Sequence, residues 1–280
     1  MVLLKHTCRG ATLPSSPDIL TFPFKASYLC GLPLACLGYR QLLAYLEQRI
    51  ATNAKTFCVT LNLNILRLAH EQPLYAEALK SAELIFADGM PIVWLSRLWG
   101  RMTASIHPLP ERLPGCDIVY DLCRRSHEKG YRIFMLGAAP GVAEKAKSRL
   151  EQTFPNIQIV GTYAPSPQEL FQPDLNEAIL ARINRSSADI LFVALGAPKQ
   201  ELWLYRNYER INPTILIPCG ASIDFIAGVQ KKAPRWLGRL GFEWLFRLIC
   251  NPTRLFKRYI LQDLPFFCRL LRQGPLASGL

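Results

Sequence analysis

The sequence lacks the motifs of several large classes of protein. Asp-x-Asp does not occur, which argues against a magnesium-bridged diphosphate site held by two carboxylates. G-x-S-x-G is also missing, which disfavours an α/β-hydrolase. The nine cysteines form no C-x-x-C pair, and no cysteine or histidine cluster has the spacing of zinc ligands. We therefore expect no bound metal and no cofactor.

Long uncharged segments and acidic residues are scarce as well. No stretch of 18 residues is free of charged side chains, so we expect no membrane-spanning helix. Lys5, Arg9 and Asp18 interrupt any hydrophobic region of a secretory signal, and most cysteines lie in apolar runs, which together predict a cytoplasmic protein. Only 21 Asp and Glu accompany 33 Lys and Arg, and the net charge of +12 suggests an anionic partner: phosphate, nucleic acid or anionic lipid.

The 280 residues contain enough apolar side chains to form a large core, since 50% of them are hydrophobic. Residues 1–26, rich in Pro, Ser and Thr, predict a loosely ordered N-terminal extension. Short β-branched runs then alternate with segments of helical period, which predicts a Rossmann-like α/β fold: a mostly parallel sheet with helices on both faces. The predicted strands are 57–62, 83–88, 132–137, 157–163, 189–196 and 214–220. The predicted helices are 39–50, 73–81, 91–98, 116–129, 141–153, 174–185 and 198–210.

The composition changes beyond residue 228. Residues 235–280 contain eight basic and only two acidic side chains, interleaved with large aromatic residues, and show no further strand. Apolar residues recur at helical steps over 236–248 and again over 255–271, and basic amphipathic helices with aromatics bind anionic membrane surfaces. A core-packing helix pair or a homo-oligomer contact is the alternative. We expect no nucleic-acid face, because the basic residues form no exposed stripe. We predict an α/β domain over 27–228 and a C-terminal appendage over 229–280.

Polar residues follow several predicted strands, and ligands bind at the carboxyl ends of strands in an open parallel sheet. Asp88 comes at the end of strand 83–88, and Gly89 lets the backbone turn directly after it. A carboxylate in this position can act as a general base. It can equally cap the helix that follows. The pattern alone leaves both interpretations open.

Two further strand ends can bind phosphate or sugar. The glycine-rich turn from Gly137 to Gly141 can hold a diphosphate on its N–H groups, although it is not G-x-G-x-x-G and a purely structural turn explains it equally well. Lys199 and Gln200 begin a helix after strand 189–196, where they can donate to a sugar hydroxyl or form a solvated first turn. If a nucleotide diphosphate binds, arginines must neutralise it. The candidates are Arg112, Arg247, Arg254 and Arg258.

Seven segments, in order along the chain, carry a resemblance to a known family. They are Thr60-Leu-Asn62; Asp88-Gly89; Glu111-Arg112-x-x-Gly115-x-Asp117; Leu136-Gly137-x-x-x-Gly141-Val142-Ala143; Gly196-Ala-Pro-Lys-Gln-Glu-x-Trp203; Gly220-x-x-x-Asp224-x-x-x-Gly228; and Ala233-Pro234 with Glu243-Trp244-x-x-Arg247 and Pro252-x-Arg254. Together they resemble the WecG/TagA/CpsF glycosyltransferases of bacterial cell-surface polysaccharide synthesis. The resemblance extends from about residue 28 to about residue 259.

The resemblance implies a reaction and its partners. A sugar (N-acetylmannosamine, its uronic acid or glucose) passes from a UDP-sugar donor to a polyprenyl-diphosphate-linked sugar acceptor, with inversion and without a metal. The enzyme lies peripherally on the anionic inner face of the bacterial cell membrane, and its C-terminal appendage completes the active site. A non-catalytic module that binds a nucleotide sugar or an anionic polymer is the alternative.

The resemblance also assigns roles by motif. Asp88 is the base, Thr60 and Gln200 position sugar hydroxyls, and Arg112 contacts acceptor or donor. Arg247 and Arg254 neutralise the departing diphosphate. The third basic position of the appendage falls at Arg258 or Lys257, and the usual Arg-Ala-Pro is Lys232-Ala-Pro here. The remaining substrate-binding positions are Asn62, Gly137 and Asp224.

Overall fold

A mixed sheet of eight strands forms the centre of the structure, a computed structural model that describes residues 24–239 and 241–275. The strand order is β1-β2-β4-β3-β8-β7-β5-β6, and every neighbouring pair is parallel except β1 and β2. The strands are β1 (Ala26–Leu29), β2 (Leu32–Ala35), β3 (Thr56–Leu61), β4 (Leu84–Ala87), β5 (Arg132–Gly137), β6 (Gln158–Tyr163), β7 (Ile190–Ala194) and β8 (Ile215–Pro218).

Helices cover both faces of this sheet. Helices α1, α5, α6 and α10 pack on one face, and α2, α3, α4, α8, α9 and α14 pack on the other. The helices are α1 (Tyr39–Ala51), α2 (Leu63–Glu71), α3 (Pro73–Lys80), α4 (Met90–Trp99), α5 (Gly115–Lys129), α6 (Val142–Thr153), α7 (Pro167–Phe171), α8 (Pro173–Arg185), α9 (Lys199–Asn207), α10 (Ser222–Ala227), α11 (Arg235–Arg239), α12 (Glu243–Cys250), α13 (Pro252–Phe256) and α14 (Leu264–Gln273). A 3-10 turn (Tyr208–Arg210) follows α9, and a π-helical segment (Lys257–Asp263) joins α13 to α14.

The predicted α/β architecture is confirmed. The strands and helices predicted between residues 39 and 220 are all present, with ends that agree to within three residues. Strands β3 and β7 are buried along their whole length, as expected of parallel strands covered on both faces. The sequence pattern does not predict α2, α7 or α10. Helices α7 and α10 have only five and six residues, which is too short to show a helical period.

A hairpin at the edge of the sheet, β1–β2, is also missing from the sequence prediction. Its strands have four residues each and are joined by Cys30 and Gly31, both with positive φ. A two-residue turn of this kind favours Asn-Gly, so a cysteine at its first position hides the usual signal. Ala26 of the predicted extension begins β1, and residues 1–23 of that extension lie outside the described residues.

The last helix, α14, and the π-helical segment before it pack against the α2 face of the sheet. Phe266 and Leu270 of α14 are buried there, and each buried side chain of this size contributes about 1.5–3 kcal/mol. Beside them, Arg67 Nε of α2 donates to Asp263 Oδ1 at 3.0 Å, and both side chains are buried. The helical period over 236–248 belongs to two helices, α11 and α12, separated near Gly241, which has a φ of +83°. Among the described residues, no helix has the length and apolar character needed to cross a membrane.

Candidate active site

Asp88 lies at the carboxyl edge of the sheet, where β3 and β4 end side by side. Leu61 pairs with Ala87, so Asn62 and Asp88 follow neighbouring strands. Helix α4 begins after Gly89 without a side-chain cap, so the interpretation of Asp88 as the cap of that helix is wrong. Its Oδ1 instead accepts a hydrogen bond of 3.0 Å from the N–H of Gly115, the first residue of α5. The N-terminus of a second helix therefore orients this carboxylate.

Burial and charge make Asp88 a stronger base than a solvated aspartate. Burial raises the pKa of Asp88 above its ordinary value, and the nearby carboxylate of Glu243 raises it further. Arg112, the Gly115 N–H and Arg247 act in the opposite direction, but the net change is upward. A carboxylate with a raised pKa accepts a proton more readily at neutral pH, as general-base chemistry requires.

Two predicted arginines meet at one carboxylate near Asp88. Arg112 precedes α5, and its Nη1 donates to Glu243 Oε2 at 2.5 Å. Arg247, one turn further along α12, contacts Glu243 Oε1 through Nη2 at 3.0 Å. The backbone places Arg112 here because the neighbouring Leu113 N–H donates to Ala87 O, at the end of β4. The fold thus brings Arg112 and Arg247 together near Asp88.

Of the two candidates for the third basic position of the C-terminal segment, Arg258 lies at a cavity. Its side chain lines the same cavity as Asp88, and its Nε lies 3.8 Å from Asp263 Oδ2. Lys257, the alternative by spacing, is exposed. The side chain of Arg254 lies outside the described part of the structure, so its predicted role stays a prediction.

A cavity of about 240 Å³ connects these groups. The charged part of its wall consists of three carboxylates and three guanidinium groups, those of Asp88, Glu243, Asp263, Arg112, Arg247 and Arg258, and the amides of Asn62 and Asn64 lie beside them. The rest of the wall is largely apolar, and Trp94, Trp244 and Leu264 are also exposed at the protein surface. The cavity therefore combines carboxylates, guanidinium groups and an apolar rim.

A second and larger cavity, of about 1040 Å³, lies on the other side of the Arg112–Glu243 pair. Both side chains, together with Met90, line the two cavities in common. Lys232 lines the larger cavity and donates to Asp117. The ion pair of Arg112 and Glu243 thus forms part of the wall between the two cavities.

Gln200 and Thr60, which were predicted to contact sugar hydroxyls, are both buried in the protein. Gln200 is 3% exposed: its Oε1 accepts from Gly196 N and Gly220 N, and its Nε2 donates to Glu201. Gln200 therefore ties together the loops that follow β7 and β8. Thr60 is 6% exposed and packs against Gly115. Direct contact of either residue with substrate stays a prediction.

Of the three remaining predicted positions, Asn62 lines the small cavity, whereas Gly137 and Asp224 do not. Asn62 also caps α2, since its Oδ1 accepts from Ile65 N at 3.1 Å. Gly137 has a φ of +101°, and a Cβ there would come within 2.6 Å of Ala194 O, so the close approach of β5 and β7 requires glycine. Asp224 lies on α10, whose Ser222 and Phe225 line the larger cavity. Substrate binding by Gly137 and Asp224 also stays a prediction.

Sequence reasoning overlooked Glu243 as a functional residue. It is one of only two acids in residues 235–280, and it lies four residues before Arg247, the spacing of an ion pair on one helix face. A lone acid in a basic segment was the available signal. Its second partner, Arg112, is 131 residues away in the sequence, so local spacing could not predict this contact.

The fold and the site define an α/β protein whose sheet edge holds a half-buried carboxylate and several arginines around one cavity. The chain matches the model of the Glycosyl transferase WecG/TagA/CpsF family over residues 27–278, and it belongs to that family. It is accordingly a glycosyltransferase of the hexosyltransferase class, which confirms the predicted family and enzyme class.

Two similar proteins carry the name N-acetylglucosaminyldiphosphoundecaprenol N-acetyl-beta-D-mannosaminyltransferase. The one from Bacillus spizizenii is 33% identical over 210 residues, which cover 75% of this chain and 76% of the relative. The one from Staphylococcus aureus is 29% identical over 211 residues, which cover 75% and 77% of the two chains.

Proposed function

We propose that this glycosyltransferase moves a sugar from a UDP-sugar to a hydroxyl of a polyprenyl-diphosphate-linked sugar, with inversion and without a metal, during synthesis of a bacterial cell-surface polysaccharide. The names of the relatives support this class of acceptor, because theirs is an undecaprenyl-diphosphate-linked N-acetylglucosamine. They also make N-acetylmannosamine the first donor sugar to test, ahead of its uronic acid and glucose.

Asp88 is the general base of the proposed reaction. Its carboxylate takes the proton of the acceptor hydroxyl while the hydroxyl oxygen bonds to the anomeric carbon of the donor. The bond from that carbon to the diphosphate oxygen breaks, and its electron pair leaves with the nucleoside diphosphate. One displacement of this kind inverts the anomeric centre. The hydrogen bond from Gly115 N–H fixes the orientation of the base, and the raised pKa of Asp88 suits proton transfer near neutral pH.

One observation carries the assignment of the leaving-group site. The Nε–H groups of Arg247 and Arg258 are buried and have no hydrogen-bond partner among the described residues, and both arginines line the cavity that contains Asp88. A buried donor without a partner costs about 1–3 kcal/mol, so such donors call for an explanation. The Nε atoms themselves have almost no accessible surface, so an anionic diphosphate in the cavity would contact the exposed parts of the two side chains, which are 29% and 34% exposed. Guanidinium groups match phosphate oxygens in geometry and charge.

A panel of UDP-sugars incubated with polyprenyl-diphosphate-linked N-acetylglucosamine or glucose tests the proposal. We expect one donor to yield a product heavier by one sugar in mass spectrometry, with the anomeric configuration inverted in its NMR spectrum. Donor binding without product from either acceptor would contradict a transferase of this specificity and would favour the non-catalytic binding module.

Chelation of metal ions is expected to leave the rate of transfer unchanged. The proposed site neutralises the diphosphate with arginines, so EDTA should remove nothing that the reaction needs. Initial rates with EDTA, with added Mg²⁺ and with neither should agree. A rate that falls with EDTA and recovers with Mg²⁺ would show that a cation, in place of the arginines, holds the phosphates.

We further propose that the C-terminal helices attach the enzyme to the anionic inner face of the cell membrane. Trp236 and Ile249 are 60% and 70% exposed in a segment with a surplus of basic residues. Exposed apolar side chains among basic ones are typical of helices that bind anionic lipid surfaces.

Substitution of both apolar residues by glutamate, Trp236→Glu with Ile249→Glu, is expected to abolish most binding to vesicles that contain anionic lipid. The change removes inserted apolar area and adds two negative charges. Co-sedimentation with vesicles measures the effect. Val160→Glu is the matched control, because Val160 is exposed on the edge strand β6, where a charge is tolerated. Equal vesicle binding by the double variant and by the control would show that the C-terminal segment does not make the membrane contact.

A further inference from the structure

Glu243 links the C-terminal helices to the core at the active site. It is the first residue of α12, and each of its carboxylate oxygens contacts a different guanidinium group. Oε2 accepts from Arg112, which belongs to the core, and Oε1 contacts Arg247 of its own helix. The side chains of Glu243 and Arg112 are 18% and 16% exposed, so solvent only partly screens the interaction.

The two arginines need an anion between them. Two guanidinium groups around one small cavity repel each other, and this repulsion is stronger in a partly buried site than in water. Burial alone would raise the pKa of Glu243, but Arg247 and Arg112 lower it overall, so the carboxylate is ionised at neutral pH. The charged carboxylate of Glu243 then orients two guanidinium groups, that of Arg112 through Oε2 and that of Arg247 through Oε1.

We propose that Glu243 is a positioning residue of the transfer reaction: it docks α12 on the core, and it holds Arg112 at the wall shared by the two cavities and Arg247 at the wall of the smaller one, next to Asp88. This inference rests on the proposed function. Glu243 forms no bond to substrate and exchanges no proton with it. It acts by arranging the cations before the diphosphate arrives, so that little rearrangement is needed when the negative charge develops.

The position of Glu243 also connects α12 to the strength of the base. The negative charge of Glu243 raises the pKa of Asp88. Because Glu243 belongs to α12, Asp88 is a stronger base when α12 is packed against the core. Titratable and charged groups from five parts of the chain face Asp88 or Glu243. They are Arg112 in the loop before α5, Cys116 in α5, Lys232 before α11, Arg247 in α12, and Arg258 and Asp263 in the π-helical segment.

The variant Glu243→Gln tests the inference, because it keeps the shape of the side chain and removes its charge. We expect kcat to fall about 10- to 100-fold, the range expected when reacting groups are misplaced by up to 1 Å. The KM for the donor should not rise, since the site becomes more positive by one charge. Asp88 must be ionised to act as a base, so a lower pKa for Asp88 moves the acid limb of the kcat profile to lower pH.

Two companion variants separate positioning from stability. Glu243→Asp retains the charge, so its acid limb should stay close to that of the wild-type protein even though the shorter side chain lowers the rate. Glu151→Gln on α6 is the matched control: Glu151 pairs with Lys147 at the same four-residue spacing and lines neither cavity, so its loss should change neither the rate nor the pH profile. Melting temperatures of all variants report on the fold.

A readout without substrate keeps this inference distinct from the proposed function. In protein labelled with ¹³C-carboxyl aspartate, the resonance missing from Asp88→Asn identifies Asp88, and its titration should move to lower pH in Glu243→Gln. An unchanged Asp88 titration, or a Glu243→Gln enzyme with wild-type kcat, would overturn the inference. If the titration moves but the wild-type protein transfers no sugar from any donor, the positioning of Glu243 stands and the proposed function fails.

Discussion

Asp88→Asn is expected to lower the kcat for sugar transfer by about 100-fold or more while the protein stays folded. The amide can still accept the hydrogen bond from Gly115 N–H, so the start of α5 keeps its partner. It cannot take the proton of an attacking hydroxyl at neutral pH, and the acceptor then has to lose its proton to water. Measurement of kcat with saturating donor and acceptor, together with the melting temperature, separates the chemical effect from a structural one.

The pH profile and a matched control make this result specific. The wild-type acid limb should lie above the range of an ordinary aspartate, because the pKa of Asp88 is raised, and the Asn variant should lack that limb. Asp189→Asn is the control: Asp189 precedes β7 at the opposite end of the sheet and pairs with Arg132, so its loss should affect stability but not turnover. Undiminished turnover in Asp88→Asn would remove Asp88 from the mechanism.

The second large effect is expected from the arginines of the C-terminal segment. Arg247→Gln and Arg258→Gln should each reduce kcat by about 100-fold or more, because removing one preorganised donor from developing negative charge costs about 2.7–4 kcal/mol. Glutamine retains hydrogen-bonding capacity but not charge. The loss should therefore appear mainly in kcat, since the charge on the leaving oxygen develops as the bond breaks.

Lys257→Gln provides the control for these variants. Lys257 is adjacent to Arg258 in sequence but exposed, so its neutralisation removes the same charge from the same segment without reaching the cavity. We expect near-wild-type transfer from it in detergent solution. A loss in Lys257→Gln as large as that in Arg258→Gln would mean that the general charge of the segment, and not the cavity arginine, governs the rate.

The sheet was predictable because its strands carry their own signal. Parallel strands buried on both faces are largely apolar in sequence: β7 is apolar throughout, and β3 is interrupted only by threonine, a residue that favours strands. The intervening helices show their own period. The β1–β2 hairpin was not predictable, because four-residue strands joined by Cys30-Gly31 lack both length and turn chemistry. The break between α11 and α12 depends on tertiary packing, since a Cβ at Gly241 would meet the ring of Trp94 at 2.7 Å.

The site was predictable where strand ends define it and not where distant segments meet. Asp88 and Asn62 follow adjacent strands, so topology alone brings them to one edge. That Asp88 does not cap α4 but accepts a hydrogen bond from Gly115 N–H needed the three-dimensional structure. The ion pair of Arg112 and Glu243 joins residues 131 positions apart in the sequence. The two hydrogen bonds that the amide oxygen of Gln200 accepts come from separate loops. Neither follows from the spacing of residues.

The rim of the small cavity has a consequence for how the acceptor is encountered. Trp94, Trp244 and Leu264 line the cavity and are at the same time open to the surroundings. In the proposed reaction, the acceptor's hydrocarbon tail can remain against this rim while its sugar reaches Asp88. The enzyme would then sample its acceptor by lateral diffusion in two dimensions, and the mole fraction of acceptor in the lipid film, not its amount per volume, would set the frequency of encounter.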